Sequence, residues 1–172
     1  MKQTIFSMNY ASRAYNLFKK YDTYGERRVQ SQFIIAGNWL DHMYPEKALH
    51  NLNKELKESE TQGILHLMGS SHLNIGICYN KLEDVDKATY NFQRALNLYK
   101  EEKHSFLPKT LFNLAHVRAK QGKLSITDDL YYEGKELAEK NKNLDMLAKF
   151  DLIKGLYLSF DLDMVRESFK FF

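Results

Sequence analysis

Pro45-Glu-Lys-Ala48 and Val85-Asp-Lys-Ala88 each open a stretch that runs on as an amphipathic helix, and their alignment decides the fold. Ala48, Ala88 and Thr127 hold one shared small-residue position, and Ser7 extends the series backwards, so the unit recurs at about 40 residues. Four and seven positions later come small or aromatic residues: Phe92 and Ala95 after Ala88, Tyr131 and Gly134 after Thr127, Ala11 and Ala14 after Ser7. That spacing is one face of a helix. Twelve positions before each small residue sits another, with Ala36 before Ala48, Gly76 before Ala88 and Ala115 before Thr127. Small residues at both places let two antiparallel helices approach closely. The repeating element is therefore a helical hairpin, helix A followed by helix B, and the fold class is all-α.

Composition agrees. The 172 residues contain 44% hydrophobic and 27% charged side chains, two prolines and eight glycines, which suits a globular helical chain with a core. The net charge of +3 comes from 25 basic and 22 acidic residues scattered along the chain, with no block of like charge to meet DNA or a membrane surface. No apolar run approaches the ~20 residues that span a bilayer, and Lys2 to Tyr10 has no signal-peptide pattern, so a cytoplasmic protein is expected. Cys78 is the single cysteine, which excludes an internal disulfide and a zinc site built on cysteine pairs. The histidines at 42, 50, 66, 72, 104 and 116 form no metal-ligand spacing, so neither metal nor cofactor is expected. Ser70-Ser71-His72 does not make a hydrolase either, because adjacency builds no triad and no G-x-S-x-G turn exists.

The small-residue and aromatic pattern resembles the tetratricopeptide repeat, whose hairpins stack into a superhelix, although the units here exceed the usual ~34 residues. A single domain over 1–172 is expected, with a partial repeat at 1–24, complete hairpins at 25–60, 61–103 and 104–142, and an incomplete repeat at 143–172. Helices are expected at Thr4 to Lys20, Glu26 to Met43, Pro45 to Ser59, Gln62 to Asn80, Glu83 to Glu101, Ser105 to Gln121, Lys123 to Asn141 and Leu144 to Ser159. Pro45 suits a first helical turn and Gly122 a C-terminal stop.

Several stretches resemble a narrower family: Met1-Lys-Gln-Thr-Ile-Phe-Ser-Met8, Asn38-Trp-Leu-Asp41, Leu67-Met-Gly69, Leu73-Asn-Ile-Gly76 and Lys154-Gly-Leu-Tyr-Leu-Ser159. Together they look like the Rap proteins of bacilli, response regulator aspartate phosphatases and their non-phosphatase relatives, which secreted Phr peptides regulate. The resemblance runs over the whole chain. It implies a receptor for a short signalling peptide in quorum sensing, with sporulation and competence as the processes controlled. Full-length members begin with a three-helix bundle that contacts the response regulator and supplies the glutamine for dephosphorylation. Nothing like it precedes Met1, so a truncated chain without phosphatase activity is expected.

In such stacks the A helices line an inner groove, where asparagine pairs with the N–H and C=O of an extended peptide. Asn74 and Asn113 share one repeat position, two residues before the small residue, and form a candidate ladder. Asp41 follows Asn38 near the C-terminal end of a helix, where the macrodipole disfavours a carboxylate. The matching aspartate of the Rap receptors grips a basic side chain of the peptide, which assigns that role to Asp41. Leu73, Phe112, His116 and Asp151 are further groove candidates by their positions on A helices. A competing function is a general scaffold that grips a partner's C-terminal carboxylate with Lys109, Lys120, Asn74 and Asn113. Finally, Ile5, Phe6, Tyr10, Ala14, Leu17 and Phe18 at one end and Phe169, Phe171 and Phe172 at the other lead to an expectation of self-association through terminal helices.

Overall fold

The computed structural model describes residues 2–21, 26–41 and 44–155; within these, the side chains of 2–5, 26, 28–30, 32, 33, 41 and 124–126 are not described. The helices are α1 (Lys2–Tyr21), α2 (Glu26–Asp41), α3 (Pro45–Gln62), α4 (Leu65–Lys81), α5 (Val85–Glu102), α6 (Leu107–Lys120) and α7 (Leu124–Lys140), followed by helical residues 144–155, here α8. No strand occurs among the described residues. The repeat read from the sequence thus appears as the expected alternation of A helices (α2, α4, α6, α8) and B helices (α1, α3, α5, α7).

Local chemistry accounts for the helix ends. Pro45 sits in the first turn of α3, where its missing N–H is not needed. The Asp84 carboxylate caps α5 by accepting from the Lys87 N–H at 3.1 Å. Past α6 the chain reverses at Gly122, whose φ of +69° lies in the left-handed region that glycine enters without strain.

The chain divides into two compact units, 1–104 and 105–172, at the junction between the second and third expected hairpins. In the first unit each helix packs on the next from α1 to α5, and α2 also touches α4. The repeat's signature residues are its core: Ala36, Ala48, Ala88, Phe92 and Ala95 are fully buried. Gly76 explains why a small residue is required there. A Cβ at that position would lie 2.6 Å from the Phe92 ring, so α4 and α5 meet backbone against aromatic face. Burying Phe92 contributes about 1.5–3 kcal/mol, which depends on that close approach. Leu40, Leu52, Ile75 and Cys78 continue the core between α2, α3 and α4.

Two buried polar contacts fix the first unit further. The Tyr99 and Ser70 hydroxyls bond at 2.9 Å, and His72 Nδ1 meets Asn91 Oδ1 at 3.0 Å. Because Asn91 Nδ2 donates to the Lys87 carbonyl, Oδ1 is the acceptor and His72 donates. Glu55 of α3 is fully buried, and neither of its carboxyl oxygens has a hydrogen-bond partner among the described residues. Burial pushes its pKa up to about 8, and the Ser71 hydroxyl, which donates instead to the Leu67 carbonyl at 2.9 Å, offsets little of this.

In the second unit α6 packs on α7 around Leu111, Leu114, Ala115 and Thr127, all buried. Phe150 of α8 is fully buried and meets Tyr131 of α7 edge-on at 6.0 Å. Among the described residues no helix is long and apolar enough to cross a membrane.

Candidate functional site

Three A helices carry an asparagine treated in the same way by its own backbone. Asn38 Nδ2 donates to the Ile34 carbonyl at 2.9 Å, Asn74 Nδ2 to Ser70 at 2.8 Å, and Asn113 Nδ2 to Lys109 at 2.7 Å. Each bond reaches back one helical turn and fixes the orientation of the amide. Among the described residues no partner takes the second N–H or the Oδ1 of Asn74 and Asn113, the pair of groups a peptide backbone needs. Asn38 differs, because its Nδ2 also donates to Ser7 Oγ on α1 at 3.1 Å. Both its donor hydrogens are engaged and only its oxygen can face a ligand.

The other expected residues divide. Asp41 ends α2, as expected, and its side chain lies outside the described residues. Leu73 is 1% exposed and belongs to the core, a correction of its assignment to the groove. The reason is rotational, since consecutive helix residues are about 100° apart and cannot both face the ligand beside Asn74. In the second unit Phe112 is half-buried, with its ring edge-on to Phe150 at 5.8 Å. His116 is half-buried, and burial together with the neighbouring Lys120 holds its imidazole below the ordinary histidine value. Asp151 accepts from Lys135 Nζ at 2.7 Å and from the Tyr131 hydroxyl at 3.1 Å. Its carboxylate is thus paired with α7.

Lys109 carries more weight than its place in the sequence suggested. Lys109, Asn113, His116 and Lys120 follow one another by four, three and four positions, a narrow stripe along α6. Lys109 is exposed as a residue, yet its ammonium is crowded: burial first, and Lys149 second, lower its pKa. Lys149 is paired with Asp145 at 2.6 Å, whereas Lys109 has no acidic partner among the described residues. No group of three or more metal-ligating side chains gathers among the described residues.

These features define a tetratricopeptide-type array with polar A-helix faces, and the comparisons with known proteins narrow the class. No family model matches the chain. It is 43% identical to response regulator aspartate phosphatase I of Bacillus subtilis (strain 168) over 159 residues, 92% of this chain and 41% of that protein. It is 34% identical to response regulator aspartate phosphatase A of the same organism over 172 residues, 99% of this chain and 46% of that protein. Among solved structures, the apo form of RapI superposes with a TM-score of 0.88 at 40% identity, covering 99% of this chain and 63% of that one. A Rap protein complexed with Competence and Sporulation Factor superposes with a TM-score of 0.84 at 37% identity, covering 98% and 47%. Over these residues the chain is homologous to the Rap proteins of Bacillus subtilis. It spans less than half the length of the curated relatives it matches.

Proposed function

We propose that this chain is a peptide-receptor module that binds a short linear peptide through the polar faces of its A helices. The observation that carries the reading is the identical treatment of Asn74 and Asn113, each tethered by one N–H and presenting the other N–H with an oxygen. Such an amide takes a backbone C=O and N–H together, and its fixed rotamer lowers the entropy lost on binding. The relative complexed with Competence and Sporulation Factor supports this choice of ligand. Asp41 supplies specificity by pairing with a lysine or arginine of the peptide, a charge-assisted bond worth about 1.5–3 kcal/mol.

The module acts in the cytoplasm, and a response regulator is the partner of the longer relatives rather than a substrate of this chain. Hydrolysis of an aspartyl phosphate is not among its activities. Incubation with a phosphorylated response regulator tests this, because loss of label above the spontaneous rate would make the chain an enzyme. Calorimetric titration with short peptides tests the receptor reading. Peptides with one basic residue should bind and their alanine counterparts should bind more weakly; no binding by either set overturns the reading.

A second chain is a further partner. Phe6, Tyr10, Leu17 and Tyr21 leave an apolar stripe on α1, each between 57% and 70% exposed, and this supports self-association.

A further inference from the structure

We propose that α1 of one copy docks head to tail on α8 of a second copy, re-forming across the contact the hairpin that an A and a B helix make within the chain. The inference rests on the self-association reading and adds the surface that receives α1.

The α4–α5 hairpin shows which faces the two kinds of helix offer each other. Lys87 of α5 lies over the Tyr79 ring at 5.2 Å, and Asn91 bonds His72 at 3.0 Å. Phe92 and Tyr99 fill the places that Gly76 and Gly69 leave open on α4. The preceding hairpin repeats the first contact, with Lys47 of α3 over the Trp39 ring of α2 at 4.5 Å. Counted from the shared small residue, Ser7 in α1 and Ala88 in α5, the places of Lys87, Asn91 and Tyr99 are taken in α1 by Phe6, Tyr10 and Phe18. The exposed stripe of α1 is therefore the face that a B helix turns toward the A helix of its own hairpin. With Phe6 60% and Tyr10 67% exposed, no A helix among the described residues covers it.

On α8 the situation is reversed. Gly155 continues the series Ala36, Gly76 and Ala115, and Ala148 precedes it by the seven positions that separate Gly69 from Gly76. Both glycines of α4 lie so close to rings of α5 that a Cβ on either would be 2.6 Å away, whereas a Cβ on Gly155 would meet nothing within 4 Å. Ala148 and Gly155 are exposed, and Leu152, at the place of Leu73, is 64% exposed where Leu73 is 1%. One chain thus carries a B face without an A helix and an A face without a B helix. A second copy supplies both, and each repeat of such an array is stabilised by burying its apolar face on a neighbour.

Charge favours this pairing over a symmetric one. Lys2, Arg13, Lys19 and Lys20 are the charged residues of α1, with no acidic residue among them, so two α1 helices repel. Residues 124–155 carry seven carboxylates and five lysines and attract it. Because the two faces differ, the contact is heterologous, and every docked pair keeps one free α1 and one free α8.

The test is sedimentation velocity on the full chain at micromolar concentration, with Tyr10→Glu to spoil the α1 face and Leu152→Glu to spoil the α8 face. The unsubstituted chain should reach species larger than a dimer, and each variant alone should be monomeric. An equimolar mixture of the two variants should form a 1:1 dimer that grows no further, because it holds one intact α1 and one intact α8. Thermal unfolding checks that both exposed substitutions leave the fold intact, and Ala148→Glu replaces Leu152→Glu if the latter unfolds. Association lost in Tyr10→Glu but retained in Leu152→Glu assigns α1 another partner surface; it overturns the docking on α8 and leaves self-association standing. Loss in both variants with no dimer in the mixture also overturns the docking. If the unsubstituted chain is a monomer, the self-association reading fails, and the docking fails with it.

Discussion

Gly76 of α4 faces the ring of Phe92 of α5 so closely that a methyl group on Gly76 would lie 2.6 Å from it. Real Cβ atoms do not approach an aromatic ring that far, and Phe92 is fully buried. Gly76→Ala must therefore separate α4 from α5 or force the ring off its rotamer. Overpacking of this kind costs about 1–3 kcal/mol, partly offset by the better helix propensity of alanine. Urea unfolding followed by circular dichroism should show a lower midpoint; an unchanged or higher midpoint would mean that the interface gives way freely.

Glu55 predicts a pH dependence of stability. Its carboxyl ionises near 4.5 when unfolded but only at about 8 when folded, so between those values the folded chain keeps a proton that the unfolded chain has released. This contribution is complete below the unfolded value and is lost as pH rises through the window, at roughly 1 kcal/mol per pH unit. His72, which burial holds below its ordinary 6.5, has the opposite slope confined to lower pH. The decline is therefore cleanest between those histidine and glutamate limits. Unfolding midpoints at neutral and mildly alkaline pH should diverge in the native chain and converge in Glu55→Gln; parallel behaviour of the two would remove Glu55 as the cause.

Asp41 and Asn74 are expected to affect binding in different ways. Asp41→Ala should weaken peptides that carry a basic residue by about tenfold or more, leaving uncharged ones alone. Asn74→Ala should weaken every peptide by a similar factor, because the amide is proposed to hold backbone. Calorimetry on matched peptide pairs separates these outcomes, and a loss in Asn74→Ala confined to one side-chain sequence contradicts the backbone role.

The exposed stripe on α1 predicts concentration-dependent association. Tyr10 is 67% exposed, so Tyr10→Glu should leave the fold intact while converting a micromolar self-associating species into a monomer. Sedimentation velocity decides it: a wild-type chain that is already monomeric at that concentration rules out association through α1.

Much of the fold was legible in the sequence because small residues at a fixed period have one economical explanation, close helix pairs. Ala36, Ala48, Ala88 and Ala115 are all fully buried, as that pattern requires. Candidate site residues were less legible, because period places a residue on a helix but its rotation is set by what the helix packs against. Leu73 turned inward for that reason. The pairing of Asp151 with Lys135, sixteen positions earlier, was not legible either, because nothing in the sequence around Asp151 names that partner. Glu55 carried no signal at all, since a glutamate on an amphipathic B helix ordinarily faces water.

Cys78 has a different kind of consequence. It is the chain's single cysteine, fully buried, and burial pushes its thiol up to about 12. Alkylating dyes attack the thiolate, so the folded protein denies them both access and the reactive form. Labelling must wait until α4 leaves its neighbours. The rate at which a dye is taken up is then a clock of opening events in residues 1–104, readable at trace protein concentration, while residues 105–172, which contain no cysteine, contribute no signal to it.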